Sequence, residues 1–280
     1  MLTAGMLHST GPFRMYVNFA NKLSAEGIAS FRFDLSGIGE SLPVGSSGSS
    51  LERAASETQQ AMDFLAENHG IKRFVLMGLC SGADDSFYTA QQDDRVNGVI
   101  LLDGCGYATS RFARTRFTKH TLPRLTSPSY WFNKIRGMAE TKSETPASLK
   151  LGDDIREFPS RDQAAVELQQ LVDRGVKLNF VYTGGVHWYY NYENQFNEMF
   201  SDVDMKDQVS SVFYPNMDHV AFLCEDRKQL LDGLVDWTKE NFKSPSSDRG
   251  ANSESTKTSK AMMPTLDLAP GTSASSSEAF

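Results

Sequence analysis

The sequence predicts an α/β protein with a mostly parallel sheet and helices on both of its faces. Two observations carry this. Short apolar runs alternate along the chain with longer stretches of helical periodicity. Several of those runs, such as Phe74-Val75-Leu76-Met77 and Val99-Ile100-Leu101-Leu102, are apolar throughout, which suits strands covered on both faces.

The elements follow in order. Ser30-Phe31-Arg32-Phe33-Asp34-Leu35 alternates apolar and polar residues and ends in Ser36-Gly37-Ile38-Gly39, a strand running into a turn. Residues 51–69 place Leu51, Ala54, Ala55, Thr58, Ala61, Met62 and Leu65 on one helical face, with Asn68-His69-Gly70 as the stop. A buried strand over Arg73–Met77 breaks at Gly78, a helix starts just after Ser81, and another strand covers Val99–Asp103. From about 107 to 160 the rhythm is lost in Arg, aromatic, Ser and Pro residues, which reads as an inserted helical lid. Then come a helix over 161–173, a strand over Lys177–Thr183, a helix over Glu193–Phe200, a strand over Val209–Tyr214 and a helix over Asp226–Phe242. Residues 1–243 form one domain, and 244–280 read as a disordered Ser-rich tail.

Composition narrows the function classes. A chain of 280 residues can bury one sizeable core. A formal net charge of −7 argues against nucleic acid or anionic membrane as a partner. The short cluster Arg111-Arg114-Arg116 fits a solvated face or an anionic substrate group. No apolar run reaches the roughly 18–20 residues of a membrane span, and the start lacks the pattern of a signal peptide. Three cysteines, Cys80, Cys105 and Cys224, read as reduced thiols of a cytoplasmic protein. No Cys/His spacing suggests a metal, and no cofactor is expected. Oligomeric state is not legible.

The chemistry centres on Gly78-Leu79-Cys80-Ser81-Gly82, set between a predicted strand and a predicted helix. A sharp strand-to-helix turn projects its central side chain above the sheet, and glycines two positions either side avoid collision. The same turn puts Cys80 at a helix N-terminus, which favours the reactive thiolate. The bland alternative is a small buried cysteine flanked by glycines for packing. Ser81 is off-centre, and its N–H is better placed as an oxyanion donor. A second donor would come from the N–H of Met6 in the loop Thr3-Ala4-Gly5-Met6-Leu7-His8.

The order Ala4-Gly5-Met6, Asp34-x-x-Gly37-x-Gly39-x-Ser41, Gly78-x-Cys80-x-Gly82, Asp218-His219 resembles the α/β-hydrolase superfamily. Within it, Gly78-Leu79-Cys80-Ser81-Gly82-Ala83 is similar to serine-aminopeptidase-type (S33-like) hydrolases, including those associated with exosortase systems. The resemblance spans about residues 1–243. It implies that the fold begins with strands that are missing ahead of Gly5.

It also implies a base and an acid. Of five histidines, His219 lies in the loop between the last strand and the last helix, where this fold carries its catalytic histidine. His8, His69, His120 and His187 are the competitors. The usual place for the acid, the loop after Lys177–Thr183, reads Gly184-Gly185-Val186-His187-Trp188-Tyr189-Tyr190 and holds no carboxylate. Asp103, at the end of the strand that follows the nucleophile's helix, is a substitute that some members use; Glu193 is another, and a bare Cys–His pair is a third reading. Asp34 reads as fixing a structural turn. Trp188, Tyr189, Tyr190 and Tyr192 form either a substrate-contacting wall or packing under the lid.

The expected function is hydrolysis of an ester, thioester or amide of a small-molecule or acyl substrate through an acyl-enzyme on Cys80. Acyl transfer by the same Cys–His pair is the alternative enzyme reading. A binding module on a degenerate hydrolase fold is the third, motivated by the missing acid.

Overall fold

The structure is a computed structural model that describes residues 1–5, 7–45, 48–118, 122, 126–132 and 159–243. Four strands pair in parallel in the order β1-β2-β3-β4: β1 Phe74–Leu79, β2 Val96–Leu102, β3 Lys177–Thr183 and β4 Val209–Tyr214. The helices are α1 Met15–Ala25, α2 Ser50–His69, α3 Ser81–Gln92, α4 Ser110–Arg116, α5 Arg161–Asp173, α6 Gln195–Met199 and α7 Cys224–Phe242.

Alternation along the strands builds a core on each face of the sheet. Val99 and Leu101 of β2, with Leu178 and Phe180 of β3, pack with Met62 of α2, Ala83 and Ala90 of α3 and Leu168 and Leu171 of α5. Ile100 and Leu102 point the other way, toward Phe19 of α1 and Leu230 and Leu234 of α7. This is why β1 and β2 carry the unbroken apolar runs Phe74–Met77 and Val99–Leu102 and β3 is buried beyond Lys177, whereas the edge strand β4 is only partly covered. Local signals set the helix ends. Ser49 and Glu52 form a reciprocal capping box at the start of α2, and Gly70, at φ 67°, closes it.

The strand expected over Ser30–Leu35 is a correction: residues 28–35 carry no strand assignment. The reason lies in its neighbour. The first residues of the chain, which bond both to it and to β1, contribute one bridge, Leu2 with Gly78, and one bond, from the Met1 amine to Phe31 O. A single backbone bond does not propagate a ladder. The helix α1 is not among the elements expected from the sequence; elsewhere the differences are at ends: β2 runs Val96–Leu102 rather than Val99–Asp103, α6 is shorter than Glu193–Phe200, and α7 starts at Cys224. Of the expected lid over 107–160, residues 110–116 form α4, while 133–158 lie outside the described residues, as does the tail 244–280.

The turn from β1 into α3 is the tightest point of the fold. An ideal Cβ on Gly78 would lie 2.0 Å from the carbonyl oxygen of Gly82. One on Gly82 would lie 2.6 Å from Thr3 O. Backbone atoms on both sides leave no room to relax. Gly78→Ala is therefore expected to lower stability by at least about 1–3 kcal/mol, read from the urea midpoint; an unchanged midpoint would refute this account of the turn.

Candidate active site

Cys80 forms the apex of that turn, as the N-cap of α3, with φ 54° and ψ −121°. Such a backbone costs on the order of 1–3 kcal/mol outside glycine and persists only where its surroundings enforce it. They do so here. The Cys80 N–H donates to Leu102 O at 2.8 Å, and the Ala83 N–H donates to Cys80 O at 2.9 Å. Beneath the apex the buried Tyr16 hydroxyl donates to Leu2 O at 3.0 Å and accepts the Leu79 N–H at 3.1 Å. Tyr16 thereby fastens the N-terminal segment to the end of β1. The residue Cys80 is exposed.

The loop after β4 brings His219 to the same edge. Its Nδ1 donates to Asp103 Oδ2 at 2.8 Å, and its ring lies near enough to the Cys80 thiol for the two to interact electrostatically. The close pass of two loops sets this position. A Cβ on Gly185 would lie 2.1 Å from His219 N, and the Gly185 N–H donates to Met217 O. The Gly184-Gly185 pair is needed where the His219 loop crosses the end of β3.

Asp103 is 1% exposed and sits at φ 49° just past β2. A buried carboxylate must be compensated by hydrogen bonds or charge. Thr183 supplies two: its N–H donates to Oδ1 and its hydroxyl to Oδ2, each at 2.6 Å. The Tyr189 hydroxyl donates to the Asp103 carbonyl at 2.9 Å, and the Asp103 N–H donates to Val181 O at 2.8 Å. The position after β3 that lacks a carboxylate thus provides donors instead. The hydrogen bond to Asp103 and then the interaction with Cys80 push the His219 imidazole up from 6.5 to about 10, against the opposing effect of its burial.

The other residues singled out in the sequence fall as follows. Ser81 begins α3, and its hydroxyl accepts the Gly5 N–H at 2.6 Å, tying the N-terminal loop to the turn. Met6 and His120 lie outside the described residues. Glu193 is exposed, and its carbonyl accepts the Tyr190 hydroxyl. His8 is bonded to Thr10, and His69 ends α2 at the surface. His187 follows the short turn after β3 with its ring against Trp188. The Asp34 carboxylate takes the Ser9 N–H at 2.5 Å, its carbonyl takes the Ser41 hydroxyl, and Gly39 packs against it, the pattern of a structural turn. The aromatic run divides: Tyr190 is buried and stacked on Tyr182, Tyr192 is buried beside Arg111, Tyr189 supports Asp103, and Trp188 is exposed. Arg111 pairs with Glu198, while Arg114 and Arg116 are exposed.

Thr183 and Tyr189 were not assigned a role in holding Asp103 from the sequence. A polar residue closing a buried strand is the one available signal for Thr183. Among the described residues no three His, Cys, Asp or Glu side chains are grouped to hold a metal, and no helix is long and apolar enough to cross a membrane.

The family model for serine aminopeptidases of the S33 type matches residues 7–183. Solved structures are similar over most of the chain. An esterase from Pyrococcus furiosus is 12% identical, with a TM-score of 0.55 over 86% of this chain and 80% of its own. A thermophilic esterase from Thermogutta terrifontis is 18% identical, with a TM-score of 0.51 over 85% and 88%. A serine hydrolase from Cycloclasticus zankles is 14% identical, with a TM-score of 0.51 over 87% and 90%. At these identities the likeness is one of fold, the α/β-hydrolase fold. No curated protein matches by sequence.

Two outcomes follow from the geometry. Thr183→Val removes a hydroxyl donor from a buried carboxylate and is expected to lower unfolding stability by about 1.5–3 kcal/mol, measured by denaturant titration. The raised His219 pKa means the folded chain binds this proton more tightly than the unfolded one. Its contribution to stability is complete below about pH 6.5, shrinks above that, and is lost once the pH passes about 10. His219→Gln should flatten the stability profile across that window; an identical slope in the variant would contradict the assignment.

Proposed function

Because the chain belongs to the serine aminopeptidase S33 family of α/β hydrolases, we propose that it cleaves ester, thioester or amide bonds through an acyl-enzyme on Cys80. The observation that carries this reading is Cys80 at the apex of the strand-to-helix turn, with His219, bonded to the buried Asp103, brought beside it. A cysteine stands where the family's name implies serine.

The chemistry suits a thiol. With His219 held protonated, a Cys80 thiolate attacks the substrate carbonyl carbon, forming the C–S bond and placing the electron pair on oxygen. The Ser81 N–H, at the first position of α3, faces that oxyanion with the partial positive charge of the helix behind it. As the intermediate collapses, the bond to the leaving group breaks and His219 gives it the proton. The thioester carries no thiolate charge, so one of the two groups that hold the imidazole protonated is gone. Asp103 still orients Nδ1, and Nε2 now takes a proton from water as the water attacks the thioester. Collapse returns the carboxylic acid and the thiolate, and His219 again holds a proton. Asp103 on His219 supplies the carboxylate whose absence after β3 motivated a binding-only reading, so catalysis is the better account.

A thiol-directed probe and a panel of activated esters and thioesters test this together. Cys80 should label stoichiometrically and ahead of Cys224, with turnover reduced at least about 1,000-fold in Cys80→Ala and about 100-fold or more in His219→Ala. Turnover that survives Cys80→Ala would remove Cys80 as nucleophile. Equal labelling of Cys80 and Cys224 would count against the catalytic reading as a whole.

A further inference from the structure

A cavity of about 230 Å³ opens between α3, α5 and the sheet, on the face away from α1 and α7. Leu101 of β2 and Phe180 of β3 line it from the sheet, Phe87 of α3 and Ala164 of α5 from the helices, and Phe200 lines it as well. Leu101, Phe180, Ala164 and Phe200 are buried, whereas Tyr88, Gln91 and Glu167 are only half-buried, so the space reaches from the core toward the surface. An apolar cavity of about 150 Å³ is enough to take up benzene. This one accommodates that bulk and several methylenes more.

The cavity starts beside the site already described. Asp84 lines it and lies on α3 four residues after Cys80, one helical turn or about 6 Å along the axis. The Asp84 N–H is hydrogen bonded to the Cys80 carbonyl. Cys105, two residues beyond Asp103, also lines it, and its N–H donates to Asp84 Oδ1 at 3.0 Å. Two residues that follow closely on the acyl-accepting thiol and its orienting carboxylate thus border the same apolar space.

We propose that this cavity holds the acyl chain of the substrate, and that the substrate class is an ester or thioester of an apolar acid considerably larger than acetic acid. The inference rests on the reading of Cys80 as the acylated residue. Of the two halves of a substrate, the acyl half stays bonded to Cys80 through both steps, whereas the leaving half must reach solvent after the first. Burial of apolar surface in this cavity favours the half that stays. Binding energy gathered there, away from the reacting atoms, can be used to orient the carbonyl.

Matched p-nitrophenyl esters of acetate, butyrate, octanoate and dodecanoate test the proposal, together with two variants of opposite effect. Ala164→Met narrows the cavity and should lower the octanoyl-to-acetyl ratio of kcat/KM roughly tenfold or more. Phe87→Ala widens it from a half-buried position and should raise the dodecanoyl-to-octanoyl ratio. Should Ala164→Met fail to fold, the Phe87→Ala ratio decides alone. Ratios unchanged in the variants that fold would overturn the assignment. Calorimetric binding of octan-1-ol to Cys80→Ala separates this from the nucleophile reading. Binding that is weakened by Ala164→Met supports the cavity even if esters are still turned over without Cys80; no binding overturns the cavity and leaves Cys80 untouched.

Discussion

The close backbone approach of Gly78 to Gly82 governs the site because it forces everything between them outward. With a Gly78 Cβ position only 2.0 Å from the Gly82 carbonyl, the chain can turn from β1 into α3 only by placing Cys80 in the left-handed region. That strain is held by bonds reaching three separate parts of the molecule. Leu102 anchors the Cys80 N–H from β2, Tyr16 fixes Leu79 from α1, and Ser81 receives Gly5 from the N-terminal loop. The exposed thiol at the apex is thus the product of packing well below it.

A second constraint is the buried carboxylate of Asp103. It sits where solvent cannot reach it, so hydrogen-bond donors from the protein must replace its lost hydration. Thr183 donates twice and His219 once, which couples the ends of β2 and β3 to the loop after β4. The electrostatic result is a His219 that prefers its proton up to about pH 10. In the proposed cycle this suits a resting pair of thiolate and imidazolium. Acylation of Cys80 removes one negative partner, and the same histidine becomes a better base when water must be activated.

Most of the fold was legible because its strands and helices carry local signatures. The strand bounds over Lys177–Thr183 and Val209–Tyr214 and the helix over 161–173 agree with the structure, since apolar runs and amphipathic stripes there end at polar caps such as Ser160. The expected strand at Ser30–Leu35 has the right alternation and fails all the same. Strand formation depends on a neighbour, and beside this segment only Leu2 bridges to β1. Alternation records which side chains face inward and carries no information about whether a partner backbone is present.

The sequence by itself determined the turn residue and the order of the parts: Cys80 between two glycines, Asp103 at the end of a buried run, and His219 ahead of the last helix. These are local, being written in spacing and residue type. It left open which carboxylate meets His219, with Asp103, Glu193 or none as the choices. Tertiary structure decided that geometry, because a contact between residues 116 positions apart depends on how β2, β3 and β4 are set side by side. It also decided the supports, Thr183, Tyr189 and Tyr16, whose polar groups have ordinary sequence neighbours and acquire their partners only when the sheet and helices close. Hydrogen bonds of that kind are satisfied across the fold, so no stretch of sequence contains both ends.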